Sequence, residues 1–159
     1  MKKLFTIFAA SFVLLMGVQA QDMRKDTRGS EDAAAGGAMM SIDPSKAVFD
    51  LTGMAPGVVP FSSEAAAQAA ASRKRVVYFF AASWCPPCRE TYRDLKANAK
   101  SVPSDLTIVV VDYDKAPQLK AKYGVSSQHT YVSIGPQGEK LKIWSGSKKL
   151  DDIARSAIR

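Results

Sequence analysis

Hydrophobic residues fall into two kinds of run along this chain. Val76-Val77-Tyr78-Phe79-Phe80-Ala81 and Leu106 to Val111 are almost continuously apolar and rich in β-branched or aromatic residues, which predicts strands covered on both faces of a sheet. Elsewhere the apolar positions recur at helical spacing. Tyr92, Leu95 and Ala99 mark one face of a helix from Arg89 to about Lys100. An Ala-rich stretch from Glu64 through Ser72 has Ser62 or Ser63 as N-cap and an acidic residue in its first turn, a helix start. Ala116 to Tyr123 is a short helix closed by Gly124, and Leu150 to Ile158 is a closing amphipathic helix. Tyr131 to Ile134 and Lys140 to Trp144 flank the turn Gly135-Pro136-Gln137-Gly138, a hairpin signal in which Tyr131, Ile143 and Trp144 read as core. From Val76 the order is β-α-β-α-β-β-α, an α/β pattern. Upstream, Ala47 to Leu51 and Gly57 to Val59 are two short apolar runs bounded by Pro or Gly, and either suits an edge strand.

The first residues follow a different rule. Met1-Lys2-Lys3 is basic, Leu4 to Val18 carries no charge, and Val18-Gln19-Ala20 places small residues where a signal peptidase cuts. Fifteen apolar residues rise about 22 Å as a helix, short of a hydrocarbon core of about 30 Å. The expectation is a cleaved signal peptide over residues 1–20, cut after Ala20, with the mature protein periplasmic or secreted and at the membrane only transiently. The alternative is an uncleaved N-terminal membrane anchor. Residues 21–52, which include Ala33-Ala34-Ala35-Gly36-Gly37-Ala38, read as a flexible N-terminal extension, and 53–159 as a single domain.

With 159 residues, 47% of them hydrophobic, the chain can hold one domain with a substantial core. Its formal charge of +7 drops to +5 once Lys2 and Lys3 leave with the signal. The cluster Arg73-Lys74-Arg75 sits at a helix C-terminus facing the macrodipole, so it calls for no nucleic acid partner.

The two cysteines, Cys85 and Cys88, form one C-x-x-C. Structural zinc wants four ligands, and the chain offers these two sulfurs and a single histidine, His129. Haem attachment wants His after the second Cys, where Arg89 stands. A redox dithiol is what remains. At a helix start the macrodipole and unpaired amides favour thiolate at Cys85, and Cys88, in the same turn, can resolve a mixed disulfide formed there. Pro86 and Pro87 suit a first helical turn but lack N–H groups, so they leave fewer donors for the Cys85 sulfur. Trp84 beside the nucleophile offers a flat surface to an incoming peptide.

The strand Val76 to Ala81, the motif Trp84-Cys85-Pro86-Pro87-Cys88, the following helix, Tyr123-Gly124-Val125 and the hairpin from Thr130 to Trp144 resemble the thioredoxin family over about residues 53 to 159. Within it, W-C-P-P-C after Phe79-Phe80-Ala81-Ala82-Ser83 and before Arg89-Glu90 is most similar to exported thiol–disulfide oxidoreductases of the TlpA and ResA kind. The extra central segment usual in those proteins is absent here. The resemblance implies a thioredoxin fold with a central mixed β-sheet flanked by helices. It also implies reduction of disulfides in other exported proteins, electrons from a membrane dithiol donor, and no cofactor beyond the Cys85–Cys88 disulfide. Three departures stand out. His129 occupies the place of the family's cis-proline, before Thr130. A cis bond there would cost about 3 kcal/mol, so the Gln128–His129 bond is either trans or strained. Phe79 and Val110 replace the buried acid and its lysine partner. Arg93 stands near the place of the proline that kinks the first long helix. His129 could then accept a proton, tune the Cys85 pKa, or be an exposed loop residue without a role. The alternative function is a zinc- or iron–sulfur-binding module that uses Cys85, Cys88 and His129.

Overall fold

In the computed structural model, residues 47–159 are described. The signal peptide and the extension as far as residue 46 lie outside the described residues.

Two strands that are apolar at almost every position must be hidden on both faces, and that demand organises the molecule. Strand β2 (Arg75–Ala81) is buried from Val76 onward, and β3 (Leu106–Asp112) is buried throughout. They pair in parallel at the centre of a five-stranded sheet. The edge strand is β1 (Val58–Pro60), parallel to β3. The competing run, Ala47 to Leu51, forms no strand. On the other side β4 (Thr130–Ile134) runs antiparallel to β2, and β5 (Lys140–Ser145) antiparallel to β4, in the order β1-β3-β2-β4-β5. At the outer edge β5 leaves Ile143 40% exposed, so this residue, read as core from its alternation, is solvated.

Helices α1 (Glu64–Ala71), α2 (Pro86–Ala97), α3 (Pro117–Tyr123) and α4 (Leu150–Ser156) cover the sheet. Strand alternation divides the interior into two cores. Val77, Phe79 and Ala81 of β2 meet Cys88 and Leu95 of α2 and Ile153 of α4. Val76, Tyr78 and Phe80 meet Ala67 of α1 and Leu119 and Tyr123 of α3 on the opposite face. This is the thioredoxin fold.

Local signals set the helix ends. Ser63 caps α1, its hydroxyl accepting from the Ala66 amide at 3.2 Å. Gly124 closes α3 at φ 72°, a left-handed conformation glycine adopts without a Cβ clash. Tertiary contacts set others. The last residues of the extension lie against α2: Phe49 stacks on Tyr92 with centroids 4.5 Å apart, and the Tyr92 hydroxyl donates to the Asp50 carbonyl at 2.8 Å.

Candidate active site

At the end of β2 the chain turns through Ala82, Ser83 and Trp84 and enters α2 at Cys85, which is the N-cap. The helix begins at Pro86, where the C-x-x-C reading put its first turn and three residues ahead of the amphipathic stretch from Arg89, because Pro86 and Pro87 bring preset φ values to a turn that needs no amide donors. The first amide available to the cap is that of Cys88, which donates to Cys85 Sγ at 3.3 Å. The two sulfurs are joined as a disulfide with Cα atoms 5.2 Å apart. Both cysteines are fully buried in this oxidised state, so attack on the bond requires a local opening at the helix start. Trp84, beside them, is 54% exposed and is held by its indole N–H, which donates to Asp114 Oδ2 at 2.8 Å.

His129 sits immediately before β4, and its amide donates to the Phe80 carbonyl at 2.8 Å, which continues the β2–β4 ladder. The Gln128–His129 bond is trans, since the one cis bond among the described residues is Ala55–Pro56. The chain solves the missing proline with φ 58° at His129. This left-handed backbone costs an L-residue about 1–2 kcal/mol, though histidine is enriched there.

The side chain is buried, which removes the reading of an exposed loop histidine. Its Nε2 lies 3.1 Å from Thr91 Oγ1 and 3.3 Å from the Tyr131 hydroxyl, and that hydroxyl donates to the Ser147 carbonyl at 2.6 Å. Phe79 stacks on Tyr131 with centroids 4.7 Å apart and meets His129 edge-on at 5.9 Å. Where the resemblance would place an acid, an aromatic ring fills the space. Burial pushes the His129 pKa below the ordinary imidazole value and Lys148 adds to this, against the Ser147 carbonyl and Glu90. The ring is thus neutral at pH 7. Burial likewise raises the Tyr131 pKa, so its hydroxyl keeps its proton. Thr130 opens β4, its hydroxyl donating to the Ser127 carbonyl at 2.8 Å.

Thr91, Tyr131 and Ser147 escape sequence reading as site residues. One signal points to Thr91, which lies one helical turn past Cys88. Ser147 has no local signal. Among the described residues no group of three His, Cys, Asp or Glu is placed to hold a metal ion. In the oxidised pair the two sulfurs are joined to each other, and His129 Nε2 faces Thr91 and Tyr131.

The family model described as Thioredoxin matches residues 58–159. The chain belongs to the thioredoxin family. Among curated thioredoxins, Thioredoxin-1 of Drosophila melanogaster is 33% identical over 78 residues, covering 49% of this chain and 72% of the fly protein. Thioredoxin of Streptomyces clavuligerus is 36% identical over 77 residues, covering 48% and 70% respectively. Among solved structures, Trxlp of Edwardsiella tarda superposes with TM-score 0.52 at 27% identity, over 65% of this chain and all (100%) of that one. The protein is a thiol–disulfide oxidoreductase of thioredoxin type, a family that acts on disulfide-containing protein substrates, with Cys85 and Cys88 as its redox pair.

Proposed function

We propose that the protein is exported and reduces disulfides in other exported proteins, recharged by a membrane dithiol donor. The Cys85 thiolate attacks a substrate disulfide, one substrate sulfur leaves as a thiol, and a mixed disulfide forms. Cys88 then loses its proton and attacks Cys85 Sγ, releasing the second substrate thiol and closing the Cys85–Cys88 bond. Two electrons and two protons reach the substrate, and the donor returns them. His129 takes up the Cys88 proton, a task for which Phe79 has no chemistry.

The observation that carries the redox roles is the cap itself, in which the Cys88 amide donates to Cys85 Sγ. This donor stabilises a thiolate on Cys85 rather than on Cys88. With prolines at the next two positions it stands without the neighbouring amides that would lower the Cys85 pKa further, which supports a reducing couple. Support for export is the basic and apolar pattern of residues 1–20.

Insulin reduction tests the chemistry. Cys85→Ser abolishes it and Cys88→Ser accumulates mixed disulfides; faster alkylation of Cys88 than of Cys85 would reverse the assignment. A reduction potential near about −270 mV supports the reductase, and one near about −120 mV makes the protein an oxidase. Expression of the full chain in a bacterium with a periplasm tests export: mature protein beginning at Gln21 in the periplasmic fraction is expected, and an intact cytoplasmic chain refutes it.

A further inference from the structure

Beside the disulfide, an open groove of about 560 Å³ runs between the first turns of α2 and the loop after β5. Its walls carry Arg89, Glu90 and Arg93 from α2 and Lys148 from the loop, with Pro87 and His129 next to the redox pair. Glu90 is matched by Lys148 at 3.0 Å. Neither arginine has a carboxylate partner among the described residues. Arg89 donates one N–H to the Ser83 carbonyl at 3.1 Å and keeps the rest of its fork open.

These arginines work against their own helix. The first turn of α2 contains no acidic residue, and Arg89 lies close to its positive end. Arg93 follows four residues later, a like-charge pair on one helix face, and Glu90, the carboxylate that stands between them, is engaged by Lys148. Local rules broken in this way gather where a surface meets a ligand. Both residues are arginine, whose planar fork matches a carboxylate through two parallel hydrogen bonds.

We infer that this groove selects protein substrates whose disulfides are flanked by Asp or Glu, with Arg93 and Arg89 receiving the carboxylates while Cys85 engages the sulfur. The inference rests on the reductase reading and adds its substrate preference. The attraction acts through exposed charges, so it weakens as salt shortens the screening length.

The test uses the full chain, dithiothreitol as reductant, and three disulfide peptides that differ only in their flanks: two glutamates, two serines or two lysines. At low ionic strength kcat/KM for the glutamate peptide should exceed that for the lysine peptide by about 10-fold or more, and molar salt should bring the ratio close to one. Arg93→Glu, which leaves two cations and two carboxylates in the groove, should bring the low-salt ratio close to one. Because the readout is a ratio between peptides on one preparation, a general loss of activity in the variant does not imitate the effect. An Arg93→Gln variant that lowers the ratio by less than Arg93→Glu does identifies charge as the cause. Equal reduction of all three peptides by the wild-type protein overturns the groove's selectivity and leaves the reductase reading standing. Failure to reduce any of them, with insulin also untouched, overturns that reading itself.

Discussion

Replacing Thr91 by valine keeps the shape of a fully buried side chain and removes a single oxygen. That oxygen lies 3.1 Å from His129 Nε2, 3.4 Å from the Ser147 carbonyl and 3.5 Å from the Tyr131 hydroxyl, so only the first is a good hydrogen bond. Neither partner is wholly orphaned. Ser147 keeps the Tyr131 hydroxyl at 2.6 Å, and Nε2 keeps the same hydroxyl at the longer 3.3 Å. The expected loss is the net worth of one buried hydrogen bond plus part of a desolvation penalty, about 1–2 kcal/mol. In a domain of this size that is a fall of about 4–8 °C in Tm.

The pH response separates the network from simple packing. Burial lowers the His129 pKa below its ordinary 6.5. Below that value the unfolded chain binds a proton that the folded protein resists, so this contribution to stability is complete at higher pH. It is lost as pH falls through 6.5 towards the folded pKa. Valine offers no oxygen to a protonated imidazole, which lowers the folded pKa further and extends the acid loss. Urea unfolding of the oxidised protein from about pH 8 to about pH 5 reads both effects. Thr91→Ser retains the hydroxyl and should follow the wild-type acid limb. A valine variant as stable as wild type, with an acid limb superimposed on it, would refute the network.

Other consequences are equally open to measurement. Arg75 pairs through two nitrogens with Asp105 and donates to the Ala154 and Ala157 carbonyls at the end of α4. Arg75→Leu should therefore cost about 2 kcal/mol in thermal unfolding, whereas Asp105→Asn, with its side chain 62% exposed, should cost under about 1 kcal/mol. Phe49→Ala removes the ring stacked on Tyr92 and should lose about 2 kcal/mol, with limited proteolysis then cutting within residues 48–52. Ser63→Ala deletes the cap of α1 for about 1 kcal/mol, and Ser63→Asp should recover it.

The fold was legible because its signals are local. The apolar run in β2, the Ser63 cap, Gly124 and the turn before β5 each act within a few residues, and each appears where the pattern predicts. The dithiol was legible for the same reason, since four consecutive residues carry both sulfurs and the prolines that start the helix. Two shifts came from packing. The edge strand is Val58–Pro60 rather than the run from Ala47, because that run's side chains are drawn onto α2 by Tyr92. Ile143 became surface because β5 has no further strand beside it.

By itself, the sequence determined that an α/β sheet would deliver a C-x-x-C to a helix start and that a histidine, with no acid at position 79, would stand opposite. Only the tertiary structure decided what that histidine is. A left-handed backbone turns it inward, Thr91 from 38 residues earlier meets its ring, and Tyr131 carries the contact on to Ser147. The Thr91–Ser147 contact spans 56 residues, a separation no periodicity records. Burial, which exists only once the chain has closed around the site, is what keeps the imidazole neutral.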